Sequence, residues 1–203
     1  MPDDVRPNRK PDIEGADQPP HERLLTVEEF FRLGELGFLE EEGKHELWDG
    51  RIVVTPPAGP SHMDCERRIV RALVLAIEQA DLSEQFGVQP GGGIRIGEYN
   101  FRAPDVMIVR LPFDTENLPT GESVALVIEV ALTSLPFDLT QKRSKYAGAG
   151  VGEYWVVDVR RRRLHPFRSP RAGDYPDCTP LEASATISPL FAPQITLNVA
   201  DLV

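Results

Sequence analysis

Two carboxylates and one amine carry the chemistry this sequence offers. Ala125–Leu132 reads as a buried apolar strand interrupted only by Glu129. Arg102–Val109 places Asp105 at the mouth of another apolar strand. A buried carboxylate without a partner costs several kcal/mol or takes up a proton. Two of them on neighbouring strands repel each other unless a cation holds them. Lys142, on the next segment, supplies a fixed positive charge. Two or three carboxylates in a cleft hold Mg²⁺ or Mn²⁺ through oxygen ligands. Such an ion polarises a phosphodiester oxygen and activates water, and a nearby lysine stabilises developing negative charge. These residue types predict a metal-dependent hydrolytic site. The plainer alternatives are an Asp105 that caps a strand start or pairs with Arg102, and a buried ion pair of Glu129 with Lys142 or Arg102.

The elements that must position these groups follow from local pattern. Asp105 and Glu129 are far enough apart for two strands and a connecting loop. Asp138 predicts a helix cap with Gln141 as its third-position partner, which puts Lys142 in the first helical turn, close to the end of the Glu129 strand. That helix carries Tyr146 one turn further on the same face and stops at Gly148 or Gly150. Upstream, Thr26 and Glu29 form a capping-box pattern before a short helix that ends near Gly37. Lys44–Thr55 reads as a hairpin about Asp49-Gly50. Ser61 is expected to cap a long helix whose apolar positions Ile69, Val70, Leu73, Val74 and Ile77 recur at helical spacing. Gly91-Gly92-Gly93 lacks the pattern of a phosphate-binding loop and reads as a flexible approach to Ile94-Arg95-Ile96. Glu153–Val159 is a strand, the arginine run Arg160–Arg163 its turn, and Leu164–Arg168 its return. Residues 1–22 form a polar, proline-rich arm expected to be disordered. Residues 169–203 read as a loosely organised extension packed on the domain formed by residues 23–168. The order of elements predicts a mixed α/β domain around one sheet, with helices on both faces.

Composition bounds the function. The chain has 203 residues, 41 % hydrophobic and 27 % charged, which suits one globular domain. No apolar run approaches the ~20 residues of a membrane span, and the N-terminal residues lack an apolar signal core. A cytoplasmic protein with no membrane partner is therefore expected. Cys65 and Cys178 have neither disulfide-framework nor zinc-ligand spacing. The net charge of −10 argues against tight nonspecific binding to nucleic acid. It does not exclude a nuclease, because a bound divalent cation makes local charge differ from global charge. Basic clusters stand at Arg67, Arg68 and Arg71, at Lys142, Arg143 and Lys145, and at Arg160–Arg163; solvated faces are the plain reading of each.

Pro104-Asp105 followed by Glu129-Val130 resembles the PD-(D/E)XK nuclease pattern. More narrowly, the chain resembles the Uma-two family of restriction-endonuclease-like proteins. The matching pieces are Glu46-Leu47-Trp48-Asp49-Gly50, Pro60-Ser61-His62, Arg102-Ala103-Pro104-Asp105-Val106, Ile128-Glu129-Val130 and Thr133-Ser134. They continue with Asp138, Lys142, Tyr146, Gly150-Val151 and Glu153-Tyr154-Trp155-Val156-Val157-Asp158. Their order and spacing, over residues 25–168, carry the likeness.

The resemblance implies a restriction-endonuclease-like mixed sheet flanked by helices and an endonuclease that hydrolyses phosphodiester bonds of DNA with Mg²⁺ or Mn²⁺. Asp105 and Glu129 would be the metal ligands and Glu46 a further acidic member. Ala131 stands where the superfamily pattern has a lysine, so Lys142 would supply that amine from the helix. The run Ala131–Pro136 also departs from the family's usual Leu-Ser-Pro-Ser. His62 reads as a helix-start residue bonded to backbone, or as a contributor to substrate contact or proton transfer. Gln141 and Tyr146 are further candidates for reaching the site, with capping and packing as their ordinary roles. Cutting both strands of a duplex commonly uses two symmetry-related sites, so a two-fold homodimer is expected. The alternatives are a catalytically silent nucleic-acid-binding or scaffold module of the same fold, and a metal-dependent hydrolase of a small phosphorylated substrate.

Overall fold

The computed structural model describes residues 22–203. The arm expected over 1–22 lies outside the described residues except for Glu22, whose carboxylate pairs with Arg51 at 2.6 Å.

A six-stranded sheet forms the centre, in the order β10-β9-β8-β7-β6-β3. Its middle strand β7 (Val124–Ala131) is buried at every position. On one side it pairs antiparallel with β6 (Val106–Arg110), which pairs with β3 (Phe86–Pro90). On the other it pairs parallel with β8 (Glu153–Asp158), with Glu129 opposite Val156. Parallel neighbours need a crossover, and residues 132–152 supply it. β9 (Arg163–Arg168) and β10 (Leu181–Glu182) complete the sheet.

The sheet divides the core in two. Alternate residues face opposite sides of a strand. Val106, Ile108, Leu126, Ile128, Val130, Trp155 and Val157 pack with Cys65, Ile69, Leu73 and Ile77 of helix α2 (Pro60–Gln79). Met107, Val127, Tyr154 and Val156 pack with Tyr146 and Ala147 of helix α4 (Arg143–Gly148). Helices thus cover both faces, as the pattern predicts.

The expectation of one sheet needs correction. The hairpin β1 (Lys44–Trp48) and β2 (Arg51–Thr55) forms around Asp49 and Gly50, both at positive φ. It belongs to a separate four-stranded sheet, β2-β1-β5-β4, with β4 (Ile94–Arg95) and β5 (Phe101–Arg102). The chain passes from β5 to β6 through Ala103-Pro104, where proline has no N–H to continue a ladder. A two-stranded ribbon, β11 (Thr186–Ile187) with β12 (Leu197–Asn198), is the third sheet.

Helix starts differ from expectation at two places. Helix α1 (Val27–Glu35) has the full Thr26/Glu29 capping box. Ser61, however, does not cap α2: Gly59 does, with no side-chain bond, and Pro60 takes the first helical position. Proline suits that position because its missing N–H would be unbonded there anyway. Nor does Asp138 cap a helix. The turn begins earlier, at α3 (Leu135–Phe137), again with a proline in its first turn, and continues through a π-helical stretch Asp138–Lys142 into α4. Asp138 is therefore an interior residue, and Lys142 closes the π stretch rather than opening a helix.

The glycine triplet is not loose. A Cβ on Gly93 would come within 2.2 Å of the Phe101 ring, and one on Gly92 within 2.4 Å of the Met107 side chain. Residues 169–203 are likewise better ordered than expected. Ile187, Ala192, Ile195, Leu197, Val199, Leu202 and Val203 join the α2 side of the core. The Cys65 thiol donates to the Leu202 carbonyl and Arg68 donates to the Val203 carbonyl, fastening α2 to the C-terminal segment.

Candidate active site

A cleft of about 410 Å³ opens between the β1–β2 hairpin, the start of α2 and the C-terminal end of β7. Its acids and amines come from five places in the sequence. On β1, Lys44, Glu46 and Trp48 share one face by strand alternation, and all three line the cleft. His62 and Glu66, one turn apart on α2, line it from the side. Asp105 enters from the link before β6, Glu129 from β7, and Lys142 from the crossover.

Asp105 is 6 % exposed, and both of its oxygens are engaged. Oδ1 accepts from Lys44 Nζ at 2.7 Å. Oδ2 lies 3.1 Å from His62 Nε2 and accepts the Val130 backbone N–H at 2.8 Å. Burial alone would raise the pKa of Asp105, but the His62 bond and the Lys44 charge hold it well below the usual carboxylate range. The same contact raises His62, and Lys44 is held above its ordinary value by Glu129 and Asp105 despite its own burial.

Glu129 is 1 % exposed on the face of β7 that meets α4. Oε1 accepts from the Tyr146 hydroxyl at 2.8 Å and Oε2 from Lys142 Nζ at 2.8 Å. Burial pushes its pKa up to about 7, with Lys142 opposing and Asp105 adding to the rise. Lys142 also reaches Asp138 Oδ1 at 3.2 Å, while the other Asp138 oxygen accepts from Ser134 Oγ at 2.5 Å. Burial disfavours the Lys142 charge, but Glu129 and Asp138 together keep it a firm cation.

Glu46, 3 % exposed, accepts the Ala103 N–H at 2.8 Å and the Trp48 indole N–H at 3.0 Å. It thereby fixes the segment leading to Asp105. Arg102, fully buried, lies over the Trp48 ring and donates to the Leu47 carbonyl; burial lowers its pKa to about 10. It pairs with neither Asp105 nor Glu129, so the Arg102 alternative for those acids falls.

The structure thus gathers Glu46, His62, Asp105, Glu129 and Lys142 around one cleft. Tyr146 is buried beneath it and reaches the cleft through Glu129. His62 bonds to a carboxylate rather than to backbone. Gln141 is exposed and does not line the cleft, because the helix starts at Leu135 and leaves no cap for it to complete. Sequence reasoning missed Lys44 and Asp138. Alternation with Glu46 along β1 was a signal for Lys44. The i,i+4 spacing to Lys142 was a signal for Asp138, masked by its reading as a cap.

Among the described residues no three His, Cys, Asp or Glu side chains gather as a metal-binding group. A closed cage of zinc type is therefore not built here. Mg²⁺ needs less: one or two carboxylates, with waters and substrate oxygens completing the shell. Asp105 and Glu129 fit that requirement. Both are hard oxygen donors on one cleft, and a cation between them would offset the burial that chiefly raises Glu129 and the Asp105 repulsion that adds to it.

This geometry sits on a known architecture. The chain is similar to the crystal structure of "a putative nuclease belonging to DUF820 from Anabaena variabilis", at 16 % identity and a TM-score of 0.66. The match covers 88 % of this chain and 97 % of that one. The fold is restriction-endonuclease-like. The profile of the Uma2 family, described as "Putative restriction endonuclease", matches residues 27–200, and the chain belongs to that family. No curated protein matches it. Among the described residues no helix is long and apolar enough to cross a membrane.

Proposed function

We propose that this chain is an endonuclease that hydrolyses phosphodiester bonds of DNA with Mg²⁺ or Mn²⁺. The observation that carries the reading is the meeting of Asp105, Glu129 and Lys142 on one cleft. Family membership supports the reaction class. Asp105 and Glu129 would hold the cation, which when bound supplies a Lewis acid to a phosphodiester oxygen and to the attacking water. Lys142 keeps a positive charge at the cleft wall, where negative charge grows on the scissile phosphate. Tyr146 and Lys142 orient Glu129. Lys44, His62 and the Val130 N–H orient Asp105, and Glu46 fixes the Ala103 backbone next to it. Two copies related by a two-fold axis would cut both strands of a duplex; sedimentation equilibrium measures that assembly.

The test incubates purified protein with supercoiled plasmid and with single strands, in Mg²⁺, in Mn²⁺ and in EDTA. Asp105→Ala and Glu129→Ala run alongside. Cleavage in metal, abolished by EDTA and reduced at least about 10²-fold by either substitution, is expected, since removing one charge-stabilising group alone costs ~10²–10³. Cleavage that survives both substitutions would sink the assignment.

One observation favours a second reading. Ala131 occupies the usual lysine position, and both cleft lysines are already paired with acids. A silent binding module of the same fold has the same geometry. It predicts DNA binding with no cutting in either metal. Turnover of a small phosphomonoester with plasmid left intact would instead move the reaction to a small substrate.

A further inference from the structure

We infer that the turn Arg160–Arg162 grips the phosphate backbone of the nucleic acid on which the cleft acts. The inference rests on the reading of that cleft as a nucleic-acid site, and it assigns a surface that the cleft residues do not include.

Position is the first argument. β7 and β8 are parallel neighbours, so their C-terminal ends emerge on the same edge of the sheet. The ladder continues past the strands: the Val159 N–H donates to the Ala131 carbonyl at 3.2 Å. The next residues of the first strand, Leu132, Thr133 and Ser134, line the cleft. The next residues of the second are the arginines. Glu129 stands opposite Val156, four residues before Arg160, so by strand spacing and rise the turn begins roughly 14 Å from Glu129.

Charge is the second. The chain carries 32 acidic against 22 basic residues, yet four arginines stand in a row here. Their side chains divide by use. Arg163 pairs with Glu182 at 2.8 Å. Arg161 reaches the buried Asp158 at 3.2 Å while staying 64 % exposed. Arg160 and Arg162 are exposed and have no acidic partner among the described residues. Like charges in sequence repel, so leaving Arg160 and Arg162 unpaired beside two further arginines is a cost that folding does not require. Guanidinium groups match phosphate oxygens in two-bond geometry.

Backbone is the third. Arg162 has φ of 53°, a conformation that glycine or asparagine adopts at less cost. The turn itself gains nothing from an arginine at that position.

The test measures binding, not cutting. Fluorescence anisotropy of a labelled duplex is followed over a salt series, in EDTA and again in Ca²⁺. Arg160→Ala/Arg162→Ala is compared with wild type and with Arg110→Ala/Arg171→Ala. The control removes the same charge from exposed residues at the opposite end of the sheet. Each lost phosphate contact lowers the slope of log K against log salt by about 0.9. The turn variant should therefore lose about 2 from the slope and bind about tenfold more weakly at low salt. The control should do neither. Arg160→Glu/Arg162→Glu should weaken binding further, and circular dichroism checks that each variant is folded. An unchanged slope in the turn variant, an equal loss in the control, or a wild type that binds no duplex overturns the inference. Binding through the turn with no cutting in Mg²⁺ or Mn²⁺ removes the nuclease reading and leaves this one. Cutting that ignores the turn does the reverse.

Discussion

Lys142 answers two buried acids at once, Glu129 at 2.8 Å and Asp138 at 3.2 Å. Removing its charge while keeping its bulk, in Lys142→Met, leaves those acids without their cation. Breaking a buried pair from one side costs ~3–5 kcal/mol. The cost depends on pH with a definite sign. Glu129 has a folded pKa raised to about 7 from an ordinary 4.5. A carboxyl raised in this way takes up a proton on folding, so it costs stability increasingly as pH climbs from about 4.5 to 7. The variant raises that folded pKa further. Urea unfolding of Lys142→Met should show the larger loss at pH 8 and a smaller one near pH 5.5. An equal loss at both would mean that Glu129 is not the group left exposed to the missing charge. At this scale the sequence showed Glu129 most plainly, because nothing but chemistry or an ion pair excuses an acid inside Leu126–Val130. Asp138 was hidden because a cap and an interior ligand of lysine look alike until the helix start is known.

The elements explain which errors the sequence invites. Periodicity found α2 and β7 because burial on one face or on both leaves a strong pattern. It could not tell that the hairpin joins a second sheet, since that depends on one short ladder pairing, Leu47 opposite Phe101. Nor could composition show that Gly92 and Gly93 are small because side chains crowd them. Gly93→Ala tests this directly. The new methyl meets the Phe101 ring, which packs with Leu47, Val27 and Phe30. Overpacking of this kind costs ~1–3 kcal/mol, and the melting temperature should fall accordingly. A neutral result would return the triplet to the role of a loose connector. The C-terminal segment was illegible for a related reason. Its apolar residues are scattered among prolines and turns, and only the shape of the sheet and α2 collects them into one core.

At the scale of the whole molecule, the acids of the cleft are balanced from within the chain by Lys44 and Lys142. Metal-nucleated domains unfold when chelated because their ligands have no other partner. Here the carboxylates proposed to hold a cation have ammonium, hydroxyl and amide partners already. Dialysis against EDTA should leave the melting temperature within roughly 2 °C of its value in plain buffer, read by differential scanning fluorimetry. Loss of the cooperative transition would contradict that balance. Internal neutralisation also separates survival from readiness. A protein whose architecture does not wait for the proposed ion can persist, idle and intact, through scarcity. Abundance of the free ion, not synthesis of new protein, would then meter its work.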